Sequence, residues 1–425
     1  MRVTGPSRRA LLTGAATLAF SGPFVRFAAA QAPAAPAAAA AQNTRLRAAT
    51  APRIELAGPT PVALFQNLLP GPVLRVKRGA PLAVTVENAL DTPLSLNWQG
   101  VRVPNAQDGV PGLTGTAIAK GESRDISFAP PDAGTFLYRA FEPALAHRAL
   151  AGALIVEETQ APDFAGDYVA LIQSWSPDPT MKVPLLTVNG AVSPTLEAPA
   201  GGRVRLRLIN ASTQFLRARV AAAPSYVIAI DGQPVATPFL LKDGRAQLTP
   251  GGRLDLTVDV GTADPIVVEA ETADLPIQLV LIVPMGAGTT TTSTPQEPPA
   301  PLASNGLPDK IPLEGATRFD VALGSASVSL ASFPTLGRVK PGTTVVLSLI
   351  NGSDAPVAVQ LHGAPARILD GMDDGWKPWW HDAIPVPPRT TVRAALVAQA
   401  VGKWAIIGQR GGDGAVVAAR SYEVA

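Results

Sequence analysis

The side chains best suited to metal or redox chemistry are scarce in this chain. Its 425 residues include three histidines, His147, His362 and His381, and no cysteine. Sites for soft transition metals use imidazole and thiolate donors at high density, because each metal takes several donors in a fixed geometry. Without a thiolate, neither sulfur-based metal binding nor cysteine catalysis is available. The composition therefore predicts no metal site and no catalytic residue.

Patterns for other kinds of catalysis are missing as well. The sequence has no nucleophile elbow and no phosphate-binding glycine loop, and the pair Gly411 and Gly412 fits neither motif. Hydrophobic residues make up 47% of the chain and charged residues 16%, with 38 glycines and 43 prolines. This composition is typical of a globular chain rich in turns, and the length predicts about two to four domains.

The first thirty residues have the pattern of an export signal. Ser7, Arg8 and Arg9 precede a short apolar run, and a small-residue cleavage motif ends at Ala30. The paired arginines are typical of the twin-arginine pathway, so we expect cleavage after Ala30 and a periplasmic protein. An uncleaved membrane anchor is the alternative, but Gly14 interrupts a run that is shorter than the roughly 20 residues needed to span a bilayer.

Removal of this signal would change the net charge of the chain. The whole chain has 35 basic and 33 acidic residues, whereas the predicted signal has four arginines and no acidic residue. The mature chain would then carry 31 basic and 33 acidic residues, a net charge of −2. No basic cluster remains that would indicate a nucleic-acid partner, and no second apolar stretch is long enough to be an integral membrane segment.

One strand pattern occurs three times along the chain. A glycine is followed by alternating aliphatic residues and then by an asparagine nine positions after the glycine: Gly79 to Asn88, Gly201 to Asn210, and Gly342 to Asn351. The asparagines are 122 and 141 residues apart, which is a domain-sized interval. The repeat therefore predicts three homologous β-sandwiches.

The alternation within this pattern predicts which face of each strand is buried. In the second copy, Val204, Leu206 and Leu208 alternate with Arg205 and Arg207. Side chains in a strand point alternately to its two faces, so we expect a half-buried antiparallel strand with its arginines on the face away from the core.

Much of the chain resembles the cupredoxin domains of multicopper oxidases. Residues 70–111 and 131–157 are similar to the first domain, 189–212 and 231–234 to the second, and 361–404 to the third. The resemblance implies an all-β fold of three consecutive cupredoxin-like Greek-key β-sandwich domains. The predicted boundaries are a twin-arginine signal peptide at 1–30, an Ala/Pro-rich tether at 31–44, domains at 45–160 and 161–285, a Thr/Pro-rich linker at 286–305, and a domain at 306–425.

The resemblance also implies where the copper ligands of active members would lie. Those members bind a type 1 copper through two His and one Cys, and a trinuclear cluster through eight His. The corresponding positions here are Asn97, Gln99, Arg139, Phe141, Val357, Gln360, His362, Ile407, Gly408, Gln409 and Asp413. Only His362 retains a ligand, and His147 and His381 match no ligand position, so we expect them to be surface or loop residues. The resemblance thus implies a degenerate family member with no cofactor, copper being the alternative.

The replacing side chains suggest a structural role for these positions. Asn97, Gln99, Arg139, Gln360, Gln409 and Asp413 are expected to meet between the first and third domains. Buried amides and charges persist only when they are paired. We expect the Arg139 guanidinium to take over the positive charge of the metals, with Asp413 or Glu142 balancing it. The alternative is that Arg139 extends to solvent, as long charged side chains usually do.

These inferences favour a protein that is not an enzyme and acts by binding periplasmic or divisome proteins. The sequence is similar to a copper-free subclass of the superfamily typified by the cell-division protein FtsP (also called SufI), which implies a scaffold role in division or envelope stress. One alternative is a copper-dependent, laccase-like oxidoreductase with atypical ligands. Another is small-ligand binding in the vacated copper cleft, beside Trp376, Trp379 and Trp380.

Overall fold

The computed structural model describes residues 43–147, 149–178, 180–181, 183–272, 275–286, 297–369 and 376–425. The predicted signal peptide, nearly all of the tether and part of the linker lie outside these residues. The described residues form six β-sheets and only very short helices. The predicted all-β, cupredoxin-like fold is confirmed, whereas the predicted domain boundaries stay predictions. We refer to residues 44–157, 166–285 and 317–424 as domains 1, 2 and 3.

Domain 1 contains eight strands and two single-turn helices. They are β1 (Thr44–Ala51), α1 (Ile54–Ala57), β2 (Val62–Phe65), β3 (Leu74–Lys77), β4 (Leu82–Asn88), β5 (Leu96–Gln99), β6 (Ser123–Phe128), β7 (Gly134–Ala140), α2 (Pro143–Ala146) and β8 (Ala151–Glu157), with a 3₁₀ turn at Asn105–Gln107. One sheet has the strand order β2-β1-β4-β6 and the other β3-β8-β7-β5. The second sheet carries the domain 1 side chains of the candidate site.

Domain 2 contains eleven strands. They are β9 (Gly166–Trp175), β10 (Leu185–Val188), β11 (Thr195–Pro199), β12 (Arg203–Asn210), β13 (Leu216–Ala221), β14 (Ser225–Ile230), β15 (Gln233–Leu240), β16 (Arg245–Leu248), β17 (Arg253–Asp259), β18 (Ile266–Glu271) and β19 (Ile277–Met285), with a 3₁₀ turn at Lys242–Gly244. The sheets have the orders β10-β9-β12-β17-β14-β15 and β11-β19-β18-β13-β16. The aliphatic residues between these sheets form the domain core.

The described residues of domain 3 form ten strands. They are β20 (Thr317–Leu323), β21 (Thr335–Val339), β22 (Thr343–Asn351), β23 (Val357–Leu361), β24 (Ala366–Leu369), β25 (Trp376–His381), β26 (Ala383–Val386), β27 (Thr390–Ala398), β28 (Gly402–Arg410) and β29 (Val416–Val424). The sheets have the orders β20-β22-β27-β24-β25 and β21-β29-β28-β23-β26. Among the described residues, none of the helices has the length and apolarity that crossing a membrane requires.

The repeated asparagines make the same contacts in all three domains. The side-chain Nδ2 of Asn88, Asn210 and Asn351 donates to the backbone carbonyl four residues later, and Oδ1 accepts from the backbone N–H two residues later. Each side chain is almost fully buried. The asparagine therefore closes the turn after its strand by pairing backbone groups that would otherwise be buried without partners.

The arginine-bearing face of β12 is buried, so the prediction that this strand is half-buried is wrong, whereas its predicted antiparallel pairing is found with β17. Arg205 and Arg207 are 0% and 2% exposed, and β12 pairs in parallel with β9 as well as antiparallel with β17. Nη2 of Arg205 lies 2.5 Å from Oδ2 of Asp255 on β17. Nη1 of Arg207 donates to Oγ1 of Thr135 in domain 1 over 2.8 Å. Domain 1 covers this face, and the charges are paired within the interface.

Candidate functional site at the domain junction

The domain 1 positions lie side by side on the sheet that faces domain 3. Asn97 on β5 is directly opposite Arg139 on β7, and Gln99 lies on the same face because strand side chains alternate. Nδ2 of Asn97 donates to the backbone oxygen of Asp108 over 3.0 Å and lies 3.4 Å from Nδ1 of His362 in domain 3. The sequence prediction that these side chains meet domain 3 therefore agrees with the geometry.

The polar domain 3 positions come together on the opposing face. Gln360 on β23 pairs across the sheet with Ile407 on β28, and Ala358 pairs with Gln409. Nε2 of Gln360 donates to Oε1 of Gln409 over 2.8 Å. Each of these two buried amides therefore has a partner, as the predicted amide cluster requires.

His362 pairs with a carboxylate that the sequence analysis did not select. Nδ1 of His362 lies 2.9 Å from Oδ2 of Asp108, and both side chains are almost fully buried. The Phe141 ring packs edge-on against the imidazole, with the ring centroids 6.3 Å apart. Asp108 follows a 3₁₀ turn in domain 1, so this contact joins domains 1 and 3.

Three of the positions that the resemblance aligns with copper ligands, Val357, Gly408 and Asp413, have surroundings that differ from those of the junction. Val357 is fully buried in the domain 3 core. A Cβ added to Gly408 would lie 3.0 Å from Cδ2 of Leu323 and 3.2 Å from Cβ of Ala418. Asp413 is half exposed and pairs with Arg410, with 2.5 Å between Oδ2 and Nη2. Apolar packing therefore occupies the place of a copper thiolate, and the prediction that Asp413 joins the junction cluster is wrong.

The residues present do not fit the copper centres that the family resemblance implies. A type 1 site needs a thiolate, and the chain has no cysteine. At the trinuclear positions the side chains are amides, a guanidinium, apolar groups and one imidazole, which lack the donor density of a three-metal cluster. Within the described ranges, no group of three or more His, Cys, Asp or Glu residues could hold a metal ion. His362 and Asp108 are the two donors closest to such a role.

Arg253, on β17 of domain 2, joins all three domains, and the sequence analysis missed it. Its side chain is 0% exposed. The guanidinium makes two hydrogen bonds to the carboxylate of Asp382 in domain 3, and Nε donates to the backbone oxygen of Thr135 in domain 1 over 3.3 Å. Nη2 also donates to the backbone oxygen of Asp231 over 2.8 Å. These bonds make Arg253 the central contact of the three-domain junction.

The surrounding groups complete this junction. Oδ2 of Asp231 lies 3.4 Å from Nδ1 of His381. Burial alone would raise the pKa of Asp231, but the positive charge of Arg253 and the contact with His381 hold it below its usual value. Nε2 of Gln99 donates to the backbone oxygen of Gly251 over 3.0 Å. Gln99, one of the positions that the resemblance aligns with copper ligands, therefore also helps to attach domain 1 to domain 2.

Arg139 is buried, which excludes the alternative that it extends to solvent. It is 6% exposed. Burial first, and then the positive charge of Arg253, lowers the pKa of Arg139 to about 10. The prediction that Asp413 or Glu142 balances the charge of Arg139 is wrong. Asp413 pairs with Arg410, and the carboxylate of Glu142 accepts a hydrogen bond from the Ser95 backbone N–H over 3.1 Å. Arg139 makes no hydrogen bond or ion pair with any residue that the structure describes.

This arrangement gives a testable expectation for stability. We expect Arg139→Met to leave the melting temperature unchanged or to raise it, because the substitution removes a buried charge that has no ion pair among the described residues and keeps an unbranched side chain. The measurement is a thermal melt of both proteins, with the far more exposed Arg217→Met as the matched control. A fall in melting temperature of more than a few degrees would mean that Arg139 has a stabilising partner in the folded protein.

His147 lies at the edge of the same junction, in the turn after helix α2, which agrees with the prediction of a surface or loop residue. It caps helix α2, is half-buried, and packs against Gly414 of domain 3. Burial, and then the charge of Arg139, lowers the pKa of His147 to about 4, while Asp413 acts in the opposite direction. The folded protein therefore holds a neutral imidazole at pH values where an unfolded chain is protonated.

This pKa predicts how stability depends on pH. The folded pKa of His147 lies below its unfolded value of 6.5. Its contribution to stability is therefore fully present above pH 6.5 and is lost as the pH falls toward about 4. We expect His147→Gln to flatten this part of the profile of unfolding free energy against pH, measured with denaturant. If the variant loses as much unfolding free energy as wild type between pH 6.5 and 4, groups other than His147 cause that loss.

The remaining aromatic and histidine predictions need correction. Trp379, Trp380 and His381 lie on strand β25 rather than in a loop. His381 is 14% exposed and contacts Asp231, so it is not a surface imidazole. Trp379 packs against Phe239 of domain 2, with the ring centroids 5.1 Å apart. Trp380 lines a cleft of about 100 Å³ between domains 1 and 3.

Comparisons with known proteins agree with this architecture. A multicopper oxidase family model matches residues 49–161. The multicopper oxidase MmcO of Mycobacterium tuberculosis is 25% identical over 83% of this chain and 81% of its own length. Copper resistance protein A of Escherichia coli is 32% identical, but over 25% of this chain and 18% of its own length.

Solved structures are similar over most of the chain. A multicopper oxidase from Pseudomonas thermotolerans has a TM-score of 0.78 and 27% identity, covering 90% of this chain and 99% of that one. Lac15 from a marine microbial metagenome has a TM-score of 0.77 and 28% identity, covering 90% of this chain and all of that one.

These comparisons contradict two predictions made from the sequence. The prediction that the chain is not an enzyme is wrong, because its relatives and structural neighbours are multicopper oxidases and laccases, which are enzymes. The prediction that it takes no cofactor is also wrong. The matching family model is that of multicopper oxidases, and a relative is a copper resistance protein. The first domain matches the multicopper oxidase family model, and the fold of the whole chain is similar to that of solved multicopper oxidases.

Proposed function

We propose that this protein acts through a fixed three-domain surface that binds protein partners in the periplasm. The observation that supports the proposal is the construction of the junction. Arg253 bonds to Thr135 and Asp382 in the two other domains, and Gln99 bonds to Gly251. Side chains at and around the former ligand positions therefore hold the domains in one arrangement.

The class of partner is also part of this proposal. The predicted export signal at 1–30 supports a periplasmic location reached by the twin-arginine pathway. The similarity to the FtsP subclass supports partners in cell division or envelope assembly. A partner that recognises surfaces of more than one domain would depend on their fixed arrangement, which links the junction to the binding function.

The test is capture of a division or envelope protein by the exported chain, followed by reconstitution of the complex from purified components. We expect wild type and Arg217→Met to bind the partner equally, and Arg253→Met to bind it at least tenfold more weakly because the domains lose their fixed arrangement. Equal binding by Arg253→Met would contradict a role for the junction. Failure of the purified components to associate would contradict the interaction proposal itself.

A copper-dependent oxidoreductase with atypical ligands is the second candidate, and the family comparisons favour it. His362 and Asp108 are the residues that would take part in holding the metal, and bound copper would supply electron transfer to oxygen. The test is copper content and oxygen consumption with a phenolic reductant after reconstitution of the full chain. Stoichiometric copper with oxygen uptake that is lost in His362→Ala would establish this candidate. Oxygen uptake no higher than that of free copper would contradict it.

A further inference from the structure

A cleft of about 100 Å³ lies between domains 1 and 3, beside the three-domain junction. Three parts of the chain form its walls. They include Arg102 and Val103 of domain 1, Leu307 and Pro308 of the segment that joins domains 2 and 3, and Pro365 and Trp380 of domain 3. Among the described residues that line it, none is at a position that the resemblance aligns with a copper ligand. The cleft therefore differs from the candidate copper positions.

The wall formed by residues 307–308 is held at both ends. Nη2 of Arg102 donates to the backbone oxygen of Asn305 over 3.4 Å, and Asn305 is itself buried. Nη1 of Arg367 in domain 3 donates to the backbone oxygen of Asp309 over 2.5 Å. Walls that are fixed before a ligand arrives lose little conformational freedom when it binds. The cleft is therefore preformed rather than assembled by a ligand.

The cleft is largely apolar and carries no surplus charge. Among the described residues that line it, most are aliphatic, aromatic or proline, and Arg102 is the only charged one. The carboxylate of Asp132 balances that charge, because it accepts from Nε and Nη2 of Arg102 over 2.8 and 2.5 Å. A charged ligand would lose its hydration without gaining an ion-pair partner here. The cleft therefore favours an uncharged ligand.

We propose that this cleft binds a small uncharged ring compound with one oxygen that accepts a hydrogen bond, such as a cyclic ketone or a lactam. An apolar cavity of about 150 Å³ holds one benzene molecule, so a cleft of about 100 Å³ accommodates a ring of roughly five or six heavy atoms. The two polar side chains that line the cleft, Arg102 and Gln399, can both donate to an oxygen. This site goes beyond the proposed partner-binding function and does not depend on it.

Two tryptophan side chains provide reporters for this cleft. Trp380 lines it, and Nε1 of Trp404 donates over 2.8 Å to the backbone oxygen of Ala400, which also lines it. Nε1 of Trp175 donates instead to Oγ1 of Thr187 in domain 2. A ligand in the cleft would shift the indole N–H resonances of Trp380 and Trp404 and leave that of Trp175 in place. The chain has six tryptophans, so single substitutions by phenylalanine assign these resonances.

The experiment is an NMR titration of the full-length, ¹⁵N-labelled protein with cyclopentanone. We expect saturable shifts of the Trp380 and Trp404 indole resonances, with a dissociation constant on the order of millimolar because so small a ligand makes few contacts. In Ala364→Leu the larger side chain fills part of the cleft, so the affinity should fall at least tenfold. Ala322→Leu is the matched control, because Ala322 is exposed on β20 of the same domain, and it should respond like wild type.

A ligand series on the wild-type protein keeps the proposal testable if Ala364→Leu does not fold. Cyclopentanecarboxylate, which is charged, and adamantanone, which is too bulky, should each bind at least tenfold more weakly than cyclopentanone. The absence of a saturable shift of both indole resonances would overturn the proposal, and a cleft that another part of the chain fills would give that result. Equal affinity in folded Ala364→Leu, or equal binding of the charged or the bulky compound, would overturn it as well.

Discussion

Arg253→Met is expected to lower the free energy of unfolding by about 3–5 kcal/mol, the usual cost of removing one partner of a buried ion pair. The substitution leaves the carboxylates of Asp231 and Asp382 buried without the guanidinium that they share. It also removes the hydrogen bond to the backbone of Thr135. The loss therefore affects all three domains.

Chemical denaturation measures this effect directly. Arg217→Met is the control, because its side chain is 72% exposed on the same domain and should change stability by less than about 0.5 kcal/mol. If the unfolding midpoint of Arg253→Met equals that of the control, the junction contributes little to stability, and its proposed role in fixing the domains is lost.

Asp255→Asn is expected to have a comparable effect at the interface of domains 1 and 2, roughly 3–5 kcal/mol. Oδ2 of Asp255 accepts hydrogen bonds from Arg205, from Arg207 and from the Thr135 hydroxyl. Both arginines are almost fully buried. Replacing the carboxylate with an amide leaves two buried guanidinium groups with less negative charge than they require.

The matched control for this substitution is Asp264→Asn, since Asp264 is an exposed residue of the same domain. Denaturant unfolding at neutral pH compares the two variants. Equal stability of Asp255→Asn and Asp264→Asn would mean that Glu158 and Asp167, which also pair with these arginines, are sufficient alone.

Local patterns predicted the strands and the repeat, because both depend on nearby residues. The alternation of Val204, Leu206 and Leu208 predicts one core face whatever lies on the other. The repeated asparagines close turns within four residues, which is also a local property. The alternation does not reveal that domain 1 covers the second face of this strand. The predicted exposure of Arg205 and Arg207 was therefore wrong.

The central contact of the junction has no local signal. Arg253 and Asp382 are 129 residues apart, and no periodicity connects them. Complementary charges on neighbouring strands give a partial signal, because Arg205 and Arg207 alternate on β12 as Asp255 and Asp259 do on β17. That pattern indicates buried ion pairs between adjacent strands, but it does not identify a contact between domains.

The family resemblance aligned several positions with copper ligands but did not predict the partners of their side chains. Asn97, Gln360 and Gln409 lie at the junction as the resemblance implies. Asp413 does not, because its short side chain follows β28 and pairs with Arg410 at the surface. Partner choice depends on side-chain reach and competition among nearby charges, neither of which a motif records.

A double-mutant cycle between Arg253 and Asp382 is the most direct test that the junction holds the domains together through paired charges. The singles Arg253→Met and Asp382→Leu and the double variant are compared by denaturant unfolding. We predict that the double variant loses less stability than the two singles combined, with a coupling energy of about 1–3 kcal/mol. Additive losses would contradict the account, because the two side chains would then stabilise the protein independently.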